Sequence, residues 1–114
     1  METKELVQKI CKAASTTKAA DIIIMDMHGI MFSTDYFVIC NANTATQVRA
    51  IADNIEEELE KDNRVFNHRE GYREGEWILL DYGDVVAHIF RTESRDYYAL
   101  EKLWGDAEIK HYEE

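Results

Sequence analysis

Glu76-Trp77-Ile78-Leu79-Leu80-Asp81-Tyr82-Gly83-Asp84-Val85-Val86-Ala87-His88-Ile89-Phe90 consists of two apolar, β-prone runs joined by a Gly-Asp step. Glycine at the first central position supplies the positive φ that a tight two-residue turn demands, so the stretch predicts a β-hairpin. Counting outward from Gly83-Asp84 sets the register. Tyr82 falls opposite Val85, Asp81 opposite Val86, Leu80 opposite Ala87, Leu79 opposite His88, Ile78 opposite Ile89 and Trp77 opposite Phe90. Because side chains alternate along a strand, these pairs divide onto two faces. Ile78, Leu80, Tyr82, Val85, Ala87 and Ile89 form one face, fit for a core. Trp77, Leu79, Asp81, Val86, His88 and Phe90 form the other, too apolar for water and too polar for a plain interior.

Two readings fit that mixed face. Large aromatic anchors beside a few polar groups are the make-up of a protein-binding surface. Alternatively, helices cover both sides of the sheet and Asp81 and His88 are satisfied polar groups near its edge.

The chain has 114 residues, enough for one domain that buries a core without staples, and residues 1–114 are expected to form a single unit. Its formal net charge of -10 disfavours non-specific or sequence-specific nucleic-acid binding, since phosphate contacts require cations. Such a charge suits a basic protein partner, and equally suits ordinary solubility. Cys11 and Cys40 lie among apolar residues without nearby partners in sequence, as reduced, buried thiols of a cytosolic protein do. No secretory or membrane-spanning stretch is evident, and a cytoplasmic location is expected.

Outside the hairpin, Leu6, Val7, Ile10, Cys11 and Ala14 recur at helical spacing and predict a helix from Thr3 to about Ser15. Ile22 to Met27 and Asp35 to Cys40 are short β-branched runs, expected to pair through the connection from Gly29 to Thr34. Asn43 or Thr44 can cap a second helix that buries Val48, Ile51, Ala52, Ile55 and Leu59 and leaves a solvated acidic face. Val65-Phe66 is a candidate short strand. A last helix carries Tyr97, Leu100, Leu103 and Trp104 as its apolar stripe and stops near Gly105. The expected fold is therefore α+β, a mixed sheet of about five strands with flanking helices.

Catalytic chemistry finds little footing. No Cys-x-x-Cys occurs, and His28, His68, His88 and His111 are never three to five residues apart, so no metal site is expected. There is no glycine-rich phosphate loop, and no motif sets a histidine beside Cys40 or Ser33. Asp26, Asp35, Asp81 and Asp84 lie at strand ends, where two-metal enzymes place ligands, but no strand offers two acids one residue apart. Turn and cap roles account for them, so neither enzyme activity nor a cofactor is expected.

The string from Trp77 to Phe90, together with Tyr97-Tyr98-Ala99-Leu100-Glu101-Lys102-Leu103-Trp104-Gly105-Asp106-Ala107, resembles the ribosomal silencing factor family, also called Iojap-like. Asp35 to Ile39 and Gln47 to Asp53 share its pattern, and the likeness runs from about residue 5 to 110. Ala42 stands where the family commonly has Gly, Thr44 where it has Ser, Ala87 where it has Val and Tyr97 where it has Phe. The resemblance implies a fold related to nucleotidyltransferases without their catalytic carboxylate pair. It implies binding to the large ribosomal subunit through its fourteenth protein, which obstructs joining of the small subunit when nutrients are short. It further implies homodimers off the ribosome and, from organellar relatives, a part in large-subunit assembly. The partner-facing positions so implied are Trp77, Leu79, Asp81, Asp84, His88 and Phe90, with Trp77, Leu79 and Phe90 as apolar anchors.

Overall fold

The computed structural model describes residues 1–113. Its hairpin has the register the turn predicts: Trp77↔Phe90, Ile78↔Ile89, Leu79↔His88, Leu80↔Ala87 and Asp81↔Val86. Gly83 sits at φ +88°, where a side chain would be strained, and its N–H donates to Asp81 Oδ1 at 2.7 Å. The residue type at the turn thus fixes the alternation of both strands.

In chain order the elements are α1 (Thr3–Thr16), β1 (Ala20–Asp26), β2 (Tyr36–Ala42), α2 (Ala45–Glu60), β3 (His68–Glu70), β4 (Trp77–Asp81), β5 (Val85–Arg91), α3 (Thr92–Tyr98), α4 (Leu100–Leu103) and β6 (Glu108–His111). The strands form one sheet in the order β3-β4-β5-β2-β1-β6. The β2–β5 pair is parallel and the others are antiparallel, so the sheet is mixed, as expected. It has six strands; β6 was not foreseen, because Glu108-Ile109-Lys110-His111 lacks a β-branched run and pairs only by lying along β1.

α1 and α2 seal the first face of the sheet. Leu6, Val7 and Ile10 of α1 and Val48, Ile51, Ile55 and Leu59 of α2 pack in one cluster with Ile78, Leu80, Tyr82, Val85, Ala87 and Ile89, all nearly inaccessible to solvent. The hairpin's predicted core face is therefore the core. Thr44 caps α2, its side-chain oxygen accepting from Gln47 N–H at 3.1 Å. Burial in this cluster pushes both Cys11 and Cys40 thiols up to about 12, so both stay protonated and unreactive.

Two local expectations shift. The strand expected at Val65-Phe66 lies instead at His68–Glu70, because the register His68↔Asp81 puts Val65 and Phe66 opposite the Gly83-Asp84 turn, beyond the end of β4. Val65 is left exposed. The last helix is broken at Ala99, whose φ of +46° ends α3 before α4 begins. The break changes the helical phase, so Leu100 is buried and Trp104 half-buried, while Tyr97 and Leu103 point into solvent.

Candidate functional site

The second face of the sheet has no pair of long helices over it. It is covered by α3, α4 and the turn that follows, a flap that leaves β5 and returns the chain to the far edge of the sheet as β6. Asn41 pins that flap. Its side-chain amide donates to Thr92 Oγ1 at 2.9 Å and its carbonyl oxygen accepts from Arg95 Nη1 at 2.7 Å, which also donates to the Asp21 carbonyl at 2.6 Å. Leu100 and Ala107 then bury against Ile23, Met25, Met27, Phe37, Ile39 and Phe90, with Ile30, Met31, Trp77, Val86 and Trp104 partly buried around them.

Such a flap covers β1 and β2 more completely than it covers the hairpin. Trp77, Leu79, Asp81 and Val86 stay partly accessible, whereas His88 is 4% and Phe90 0% exposed. His88 and Phe90 thus do not present their side chains at the surface, contrary to the expectation for a partner-facing pair. They form the bed on which Trp77 lies. Its indole stacks on Phe90 at 4.9 Å between centroids, leans on Tyr98 at 4.7 Å, and donates its Nε1–H to His88 Nδ1 at 3.1 Å. Tyr97 continues the series at 5.1 Å from Tyr98, so an unbroken run of rings leads from solvent to the interior.

The bond from Trp77 decides the state of His88. A nitrogen that accepts cannot carry the proton, so the tautomer is Nε2–H, and that donor is buried without a hydrogen-bond partner among the described residues. Phe37 meets the ring edge-on at 4.5 Å. Burial pushes the imidazole down to about 4 from 6.5, leaving it neutral at pH 7.

The two acids have structural duties. Asp81 Oδ1 holds the turn through Gly83 N–H. Asp84 is exposed; its carboxylate accepts from Thr3 Oγ1 at 3.2 Å, and its carbonyl accepts from the Asp35 and Tyr36 amides at 2.8 and 3.1 Å and from Thr34 Oγ1 at 2.9 Å. Asp26 and Asp35 share His28, at 2.6 and 3.3 Å, and the bonds from His28's amide and ring hold the Asp26 carboxyl below its usual range. Among the described residues no group of three or more His, Cys, Asp or Glu side chains could hold a metal ion. No helix among them is long and apolar enough to cross a membrane.

Exposed Tyr97 and Tyr98 border the same face through their ring contacts; Tyr97, with exposed Leu103, was assigned to an apolar stripe, and Tyr98 was given no role. Phe32, at the tip of the β1–β2 loop, is fully exposed and has no periodicity around it to announce it.

Geometry of this kind defines a class of small α+β domain, with one face sealed by its own helices and the other a half-open aromatic surface. Within that class, the chain belongs to the ribosomal silencing factor family: the family model described as "Ribosomal silencing factor during starvation" matches residues 1–114. A Bacillus subtilis ribosomal silencing factor is 41% identical over 109 residues, covering 96% of this chain and 92% of that protein. The chloroplastic Iojap protein of Zea mays is 35% identical over 99 residues, 86% of this chain and 42% of that longer protein. Among solved structures, a Chromobacterium violaceum protein superposes with a TM-score of 0.89 at 32% identity, covering 92% of this chain and 88% of that chain. A Bacillus halodurans protein gives 0.84 at 36% identity, covering 98% and 100%. The family and the α+β fold expected from the sequence are both borne out.

Proposed function

We propose that this chain is a translation repressor that docks on the large ribosomal subunit through its fourteenth protein and blocks joining of the small subunit by occupying space. The observation that carries the reading is the half-open face bearing Trp77, Leu79 and Val86, in a chain whose relatives are named ribosomal silencing factors. Apolar anchors supply most of the affinity, and the -10 charge favours encounter with a basic ribosomal surface. Trp77 and Leu79 act at the contact, and His88 and Phe90 act by holding Trp77. Asp81 fixes the hairpin tip, and Asp84 at the turn reaches a lysine or arginine on the rim.

Obstruction of this kind needs no bond chemistry, so the protein works stoichiometrically in the cytoplasm, without cofactor. Off the ribosome the same face closes a homodimer, since an apolar patch pairs with itself when geometry allows. A part in large-subunit biogenesis is favoured by one relative, the mouse protein named "Mitochondrial assembly of ribosomal large subunit protein 1", 30% identical over 89 residues. That match covers 75% of this chain and 39% of the mouse protein.

Sedimentation of purified large and small subunits with added protein tests the proposal. Co-migration with the large subunit and fewer joined ribosomes are expected; free large subunits that neither carry the protein nor lose their joining would overturn it.

A further inference from the structure

The β1–β2 loop presents a feature that the hairpin does not explain. Phe32 is fully exposed, yet the loop that carries it is tied down at both ends. At its base, Met27 N–H donates to the Asp35 carbonyl at 2.8 Å, and Ile30 and Met31 N–H donate back to the Met27 carbonyl at 3.0 and 3.1 Å. On the hairpin side, Thr34 Oγ1 and the amides of Asp35 and Tyr36 all converge on the Asp84 carbonyl. His28 bridges Asp26 and Asp35 across the neck. Ile30 and Met31 pack against the buried second-face cluster on which Trp77 and Val86 also lie, while Phe32 stands out in solvent.

A large aromatic held out on an anchored loop loses little further freedom when it binds, which is the arrangement that favours a binding anchor over a stray apolar residue. We infer that Phe32 is a further anchor of the docking face, inserting into an apolar notch of a basic ribosomal protein surface. This rests on the docking reading above and extends its footprint from the hairpin strands to the loop at their turn end. Two observations choose the occupant. Ile30 and Met31 rest on the same buried cluster as Trp77 and Val86, which puts the loop on the docking side of the sheet. The carboxylates of Asp26, Asp35 and Asp84 gather at this sheet end, with His28 between the first two, which suits lysine and arginine around a notch and repels a phosphate backbone.

The test uses the full chain and purified bacterial large ribosomal subunits. Phe32→Ser is expected to weaken binding at least fivefold with an unchanged melting temperature, because the side chain is fully exposed in the free protein, and Phe32→Leu is expected to restore most of the loss. A photo-crosslinking phenylalanine at position 32 is expected to capture a ribosomal protein. Wild-type affinity for Phe32→Ser, while Leu79→Ser binds poorly, would overturn the anchor and leave the docking reading standing. Wild-type affinity for both variants would overturn the docking reading as well. Crosslinks confined to ribosomal RNA or to a second copy of this chain would overturn the choice of partner.

Discussion

The two faces of the sheet share the same strands and differ in what covers them. On the first, α1 and α2 fill the space so completely that Ile51, Ile55, Ile78, Leu80 and Ile89 all have zero exposure. On the second, a seven-residue α3 and a four-residue α4, separated by a left-handed Ala99, leave Trp77, Leu79 and Val86 only partly buried. Long amphipathic helices seal a sheet, and a short, broken segment pinned at one end by Asn41 leaves part of it open. The difference separates a face that holds the protein together from one able to hold something else.

The sharpest way to break the comparison is to damage the sealed face. Ile55→Ala removes a fully buried side chain and leaves a cavity; a loss of roughly 2–5 kcal/mol is expected in urea unfolding. Ribosome binding by the fraction that remains folded should be unchanged. A binding defect in that folded fraction would mean the faces are not independent.

Acid probes the other side. The folded His88 takes its proton only near pH 4, whereas an unfolded histidine takes one near 6.5. Between those values the unfolded state binds more protons, so stability falls as pH drops through the window, by about 3 kcal/mol in all. Protonation would also remove the acceptor that Trp77 uses, so the indole fluorescence should shift over the same range. Urea midpoints measured from pH 7 to 4 in the native chain and in His88→Gln test this; equal slopes would show that His88 is not the group responsible.

Leu79→Ser sharpens the contrast from the outside. The Leu79 side chain is only partly buried, so its loss is expected to weaken large-subunit binding by the folded protein about tenfold, near 1.4 kcal/mol, with a smaller loss of stability than Ile55→Ala gives. Trp77→Ala is a poorer probe, since its stack on Phe90 and its bond to His88 make it part of the fold as well as of the surface. The smallest expected effect lies in the flap. Ala99→Gly relieves a left-handed residue and should stabilise the protein by about 1 kcal/mol in calorimetry.

Much of this was legible in the residues. Gly83 dictated the turn, the turn dictated the register, and period-two alternation then separated Ile78, Leu80 and Ile89 from Trp77, Leu79 and His88. Thr44 and the spacing of Val48, Ile51, Ile55 and Leu59 likewise fixed the start and the buried side of α2. These features are local: a few bonds of backbone geometry, repeated, decide which way each side chain points.

Which members of the mixed face are covered is not a local question. Phe90 and Leu79 share that face and a β-sheet pattern, and only the path of residues 92–107 makes one fully buried and the other half-open. That path depends on Asn41 and Arg95, 54 residues apart in sequence, and on a backbone reversal at Ala99 that helix propensity argues against. The sixth strand arises the same way, since Glu108–His111 becomes β only by meeting β1. By itself the sequence determined the two-sided hairpin and the helices that close its inner side. Tertiary structure alone decided how far the outer side stays open, because occlusion is set by where a distant segment comes to rest.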